Sequence, residues 1–196
     1  MPDDPTPVTP VDTYVFPFTD VLEKDWFYKD VYNANKIGLI NGKTATLYKP
    51  NDNMTYAEAI KLAACMNQYY NDGEVTLTNG SPNWYDSYVE YARTHGIPWD
   101  YEDHNAKITR RDYVHIFYYA LPKENYKAIN NIMAIPDVKS DDKYASEILA
   151  FYNAGILTGS DAKGTFNPSS NIKRSEVAAI LSRMMDATTR KMFELK

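Results

Sequence analysis

The 196-residue sequence predicts an all-α fold: three tandem helix-loop-helix units in a pseudo-threefold assembly around a central three-helix bundle. Two repeat registers and one apolar periodicity point to it, and self-similarity of this kind decides the architecture before any single element does. The first register is set by Gly38, Gly96 and Gly155, spaced by 58 and 59 residues. Around these glycines Phe27, Tyr85 and Tyr144 coincide, as do Val31, Val89 and Ile148, and Ala34, Ala92 and Phe151. Asp20 coincides with Asp137, with Thr78 in the middle copy, and Gly42 coincides with Gly159, with Asp100 in the middle copy. The second register pairs Thr55 and Glu58 with Thr109 and Asp112 and with Lys173 and Glu176, at separations of 54 and 64 residues. The loops between the registers therefore differ in length, and the middle copy has the shortest.

Each element follows in chain order. Residues 1–16 open with four prolines in the first ten and read as an extended linker, without the basic and apolar regions of a signal peptide. Trp26, Val31, Ala34 and Ile37 then form a loose helical stripe. Gly38 follows where a left-handed residue ends a helix, a backbone region that glycine enters without a Cβ penalty. Thr55 and Glu58 make a capping-box pattern, in which hydroxyl and carboxylate satisfy each other's free backbone N–H. Behind it Ala59, Leu62, Ala63 and Met66 keep i, i+3, i+4, i+7 spacing, as do Tyr113, Ile116, Phe117 and Ala120 in the second copy and Val177, Ile180, Leu181 and Met184 in the third. Large residues in one copy match smaller ones in another, which lets three helices share one axis and fill space. A single copy buries too little surface to fold alone. The units are therefore 17–72, 73–130 and 131–196, the middle one degenerate.

Composition narrows the function. Lys and Arg number 21 against 26 Asp and Glu, a net charge of −5, which argues against nucleic-acid binding. No stretch approaches the run of apolar residues that spans a membrane. One cysteine excludes an internal disulfide and a multi-cysteine zinc site. The seventeen tyrosines must carry part of a lean core.

The motifs are similar to those of the S-layer homology (SLH) domain family, whose pattern runs F-x-D, a Trp a few residues on, G-I/V-x-x-G, F-x-P and I-T-R-x-E-A. The first copy has Phe18, Asp20, Trp26, Gly38, Gly42, Tyr48, Pro50, Met54, Thr55, Glu58 and Ala59. The third has Asp137, Gly155, Ile156, Gly159, Gly164, Phe166, Pro168, Ile172, Arg174 and Glu176. The second keeps Trp84, Gly96, Ile97, Ile108, Thr109 and Arg110 but lacks the Asp and the F-x-P. The resemblance implies three helical prongs around a central bundle. It also implies a non-catalytic module, outside the cell at the wall or S-layer, that anchors an exported protein to a wall polysaccharide. The ligand it implies is acidic and often carries a pyruvate ketal on an amino sugar, held in grooves between prongs. The expected partner is that polysaccharide and the setting a larger fused surface protein. The isolated module is expected to be a monomer, without cofactor or metal.

A ketal carboxylate wants a guanidinium to fork onto it, and the sugar wants polar groups and an aromatic face. Candidates at motif positions are Arg110 and Arg174 for the cation, Asp20 and Asp137 for hydroxyls, Trp26 and Trp84 for the ring, and Gly42, Gly159 and Ser160 where backbone could approach. Each has a plainer reading as well. The aspartates could be turn caps, the tryptophans core, the arginines solvated or ion-paired, and Glu58 and Glu176 helix caps. The first copy has Tyr56 in the Arg position and the third has Lys143 in the Trp position, so one or two competent grooves are expected. Removing Arg174 is expected to weaken wall binding at little cost in stability. His95, His104 and His115 lack metal-ligand spacing, Asp161–Gly164 reads as a tight turn and not a calcium loop, and Cys65 has no catalytic partner. Two other functions are open: a structural or protein-interaction module on the same scaffold, and a wall-glycan hydrolase, which no carboxylate pair supports.

Overall fold

A computed structural model describes residues 14–195. The described chain is all-α, with helices α1 (Tyr28–Lys36), α2 (Tyr56–Asp72), α3 (Asp86–Thr94), α4 (Arg110–Tyr118), α5 (Ala145–Asn153) and α6 (Arg174–Met185). Most of the expected linker, residues 1–13, lies outside the described residues. Its last residues do not behave as a tether. The Tyr14 hydroxyl bonds Asn35, and the Phe16 ring packs edge-on against Phe18 and Tyr28, so packed chain begins before residue 17.

The helix starts follow their local chemistry. Glu58 N–H donates to Thr55 Oγ1 and Thr55 N–H to Glu58 Oε2, a complete capping box worth about 1 kcal/mol. Thr109 caps α4 through the Asp112 amide. Lysine has no acceptor, so at α6 only the carboxylate half remains, with Lys173 N–H donating to Glu176 Oε2. Gly38, Gly96 and Gly155 end the first helix of their copies at φ +74°, +71° and +70°. The expected stripe along α1 is narrower than its spacing suggests. Val31 and Ala34 are buried, but Trp26 precedes the helix and is 65% exposed, and Ile37 follows it half-exposed.

The copies are interleaved. α1 packs on α6, α3 on α2 and α5 on α4, so each first helix lies against the second helix of a different copy. α2 also packs on α4. The second helices are joined just before their N-termini by a ring of main-chain hydrogen bonds. Met54 N–H donates to the Ile172 carbonyl at 3.1 Å, Ile172 N–H to Ile108 at 3.3 Å, and Ile108 N–H to Met54 at 3.0 Å. The first helical turns close a second ring, in the opposite cyclic order. Tyr56 and Ala57 donate to Ala106 and His104, Arg110 and Arg111 to Ser170 and Pro168, and Arg174 and Ser175 to Asp52 and Pro50. Orphan N–H groups at a helix start need acceptors; here each copy receives them from the loop of the next. Around this junction Ile60, Ala63, Met66, Tyr113, Ile116, Phe117, Val177 and Leu181 are fully buried in one core.

Candidate functional site

In the first and third copies the loop before the second helix is shaped by a buried aromatic and a carboxylate. In the first copy Asp20 accepts from Tyr48 N–H on Oδ1 and Lys49 N–H on Oδ2, each at 2.8 Å. In the third, Asp137 accepts from Phe166 N–H at 2.8 Å and Asn167 N–H at 2.7 Å. Lys49 and Asn167 have φ of 60° and 58°, left-handed values that are uncommon for non-glycine residues. Both carboxylate oxygens of Asp20 and Asp137 are thus engaged by backbone, in keeping with the turn reading of these residues. In the middle copy Thr78 stands in the Asp position and its carbonyl accepts from the Ser87 hydroxyl.

Two grooves collect the remaining candidates, and each draws on all three copies. The first is lined by the Asn41–Lys43 turn and Glu58 of copy one, Trp84 of copy two and Arg174 of copy three, over a floor of Tyr48, Met54, Leu62 and Val177. The second is lined by Trp26 of copy one, Arg110 of copy two, and Thr158–Ser160, Glu176, Ile180 and Arg183 of copy three. Trp84 is 36% exposed and Trp26 65%, so neither ring is core.

The guanidiniums are buried, each about 6% exposed. Arg174 Nε donates to the Tyr48 carbonyl at 2.9 Å and Nη2 to the Asn41 carbonyl at 2.7 Å, and the group lies 4.5 Å over the Tyr48 ring. Its Nη1 stands 3.9 Å from Glu58. Arg110 Nε donates to the Phe166 carbonyl at 2.7 Å, and its Nη1 to Glu176 at 2.6 Å. Burial pushes the Glu58 carboxyl up, but the Lys43 ammonium, the Thr55 amide and Arg174 together hold it below the usual carboxylate range.

The glycines place main chain at the groove edge. A Cβ on Gly42 would sit 2.4 Å from the Thr44 carbonyl oxygen and 2.5 Å from the Phe18 ring. One on Gly159 would sit 2.5 Å from Gly164. Ser160 donates its hydroxyl to the Thr165 carbonyl at 2.9 Å and accepts from Asn167 Nδ2 at 2.8 Å. Asp161 accepts from the Lys163 and Thr165 amides, both at 3.0 Å, which makes the Asp161–Gly164 segment the tight turn its sequence indicates.

At the third set of motif positions the chemistry is different. The Tyr56 hydroxyl, in the Arg position, donates to Asp112 at 2.7 Å, and its ring lies 4.4 Å from Tyr101. Burial first, then Asp112, pushes the Tyr56 phenol up to about 12, so it stays a neutral donor. His115 stacks on Tyr144 at 3.7 Å, and Lys143 lies 4.6 Å over the same Tyr144 ring. Cys65 is buried, and burial pushes its thiol up to about 11, which leaves it inert.

The structure therefore brings Gly42, Trp84 and Arg174 together in one groove, and Trp26, Arg110, Gly159 and Ser160 in the other. Asp20 and Asp137 line neither. Sequence reasoning passed over Lys43 and Lys61 and read Glu58 and Glu176 as caps alone. A lysine following the glycine of the turn, absent at Ser160, was the available signal for Lys43.

Residues 17–60 and 134–178, in the first and third copies, match the S-layer homology domain family. The Surface-layer 125 kDa protein of Lysinibacillus sphaericus is 27% identical over 131 residues, which is 62% of this chain and 10% of that protein. The chain thus spans about a tenth of the relative it matches.

Proposed function

We propose that this chain is a non-catalytic anchoring module of the bacterial cell surface, which holds a larger surface protein on the wall by binding an acidic secondary polysaccharide between its repeats. The supporting observation is the twofold recurrence of one arrangement: an exposed indole, a buried guanidinium and a tight glycine turn, each from a different copy, facing one groove. An indole offers a flat apolar face to a sugar ring, the guanidinium offers charge to a carboxylate, and the turn offers backbone polar groups. The family likeness of residues 17–60 and 134–178 supports the same reading.

In this reading Trp84, Gly42 and Arg174 serve one groove and Trp26, Arg110, Gly159 and Ser160 the other. Asp20 and Asp137 act at one remove, by fixing the loops that carry the acceptor carbonyls of Arg174 and Arg110. The units 17–72, 73–130 and 131–196 are related by a pseudo-threefold axis through the Met54, Ile108 and Ile172 junction, with the degenerate middle unit completing grooves that its neighbours frame. A carboxylated sugar, such as a pyruvate ketal, matches the cation-and-ring pairing. Each groove binds modestly, and the repeating polymer adds avidity.

The test is sedimentation of the whole chain with native wall sacculi and with sacculi chemically stripped of their secondary polymer. Retention on the native wall alone is expected. Equal retention on both, or none on either, would remove the glycan reading in favour of a structural or protein-interaction module. Release of reducing sugar from wall glycan would point to a hydrolase.

A further inference from the structure

The two grooves share a plan but hold their guanidiniums differently. Gly42 and Lys43 are in register with Gly159 and Ser160, and Glu58 with Glu176. In the Arg110 groove Glu176 Oε1 lies 2.6 Å from Arg110 Nη1, so a carboxylate of the protein already fills the place an anion would take. In the Arg174 groove the corresponding Oε1 of Glu58 is bound by the Lys43 ammonium and stands 3.9 Å from Arg174 Nη1. Ser160 offers no charge to draw Glu176 away, and its hydroxyl is held by the Thr165 carbonyl. A second lysine reinforces the difference. Lys61 Nζ lies 5.1 Å from the Tyr88 ring and 5.8 Å from Trp84, at the position that Ala179 takes in the other copy.

We propose that Lys43 is a positioning residue that takes Glu58 off the guanidinium and so leaves the Arg174 groove open to an anion, whereas Glu176 closes the Arg110 groove against one. The proposal rests on the glycan reading above and assigns the acidic ligand to one groove of the two. An anion entering the Arg110 groove must break a short charge-assisted hydrogen bond before it gains one. The same anion entering the Arg174 groove meets Lys43, Lys61 and Arg174 against the single carboxylate of Glu58.

The three tryptophans make the grooves separately visible. The whole chain, labelled with fluorotryptophan, is titrated with the methyl glycoside of a pyruvate-ketal N-acetylhexosamine and followed by fluorine NMR. The Trp84 resonance is expected to respond first, and the Trp26 resonance only at about tenfold higher probe concentration. Lys43→Met should weaken the Trp84 response about tenfold, and adding Glu58→Gln to it should restore the response. Glu176→Gln should bring the Trp26 response down to the range of Trp84. The glutamines keep the cap acceptors, and Lys43 is a surface residue, so these variants fold. A wild-type response of Trp26 before or together with Trp84 overturns the proposal. So does a double variant as weak as Lys43→Met, which would make Lys43 a ligand contact. If Trp84 is silent while the protein still sediments with native sacculi, the proposal falls and the glycan reading stands. If sedimentation also fails, both fall.

Discussion

Arg174 donates through Nε to the carbonyl of Tyr48, 2.9 Å away and 126 residues earlier in the chain. With the second bond to Asn41, a side chain of the third copy holds the loop of the first. Arg174→Ala leaves two carbonyls facing a buried void, and should cost about 2–4 kcal/mol of stability. Chemical denaturation checks this. The expectation that Arg174 could be removed at little structural cost does not fit its burial, and loss of wall binding in this variant has to be read beside its melting temperature.

Asp137→Asn replaces one of two acceptor oxygens by an NH2 group, which cannot accept from Asn167 N–H. A loss of about 1–3 kcal/mol is expected. Faster hydrogen exchange at the Phe166 and Asn167 amides, with α1 unaffected, would locate the damage; uniform acceleration would contradict it.

Gly42→Ala places a methyl against the Thr44 and Leu47 carbonyls and the Phe18 ring. The turn must open, so both stability and wall retention should fall, the first by about 1–3 kcal/mol. A variant with an unchanged melting temperature would mean that the turn yields freely.

Trp84→Ala removes a ring that is 36% exposed, and should leave stability within about 1 kcal/mol while reducing retention on native sacculi. Trp26→Ala should affect retention less. Reversal of that order would reassign the better groove.

His115 sits between α4 and α5, stacked on Tyr144 with Glu147 3.3 Å away. Burial lowers its pKa below 6.5, and outweighs the upward pull of Glu147. The unfolded chain therefore binds the proton more readily than the folded one. The stabilisation is complete above about pH 6.5 and declines as pH falls toward the folded pKa. Urea midpoints should drop over that window, and His115→Phe should flatten the drop.

Much of this was legible in the sequence because repeats expose their own constraints. The glycines at 38, 96 and 155 mark helix ends wherever the chain needs positive φ, and Thr55 with Glu58 marks a start by chemistry that acts over one turn. The candidates Trp26, Trp84, Arg110 and Arg174 do reach grooves. The handing of each first helix to another copy was not legible. The stripe of Val31 and Ala34 says that a face is buried, and is silent on what buries it. Nor was the burial of the arginines, since each Nε is held by a backbone carbonyl, a group that every residue carries. Trp26 misled in the opposite sense: its place in an apolar series suggested core, but it precedes the helix and leaves that face.

Met54, Ile172 and Ile108 each donate one amide hydrogen bond around a closed loop, so every copy is both giver and receiver. Such a loop has no loose end at which another copy could join, and taking one copy out breaks two of its joints at once. The number of repeats is then limited by geometry at a single point of the backbone, which the buried side chains of Met54, Ile108 and Ile172 enclose.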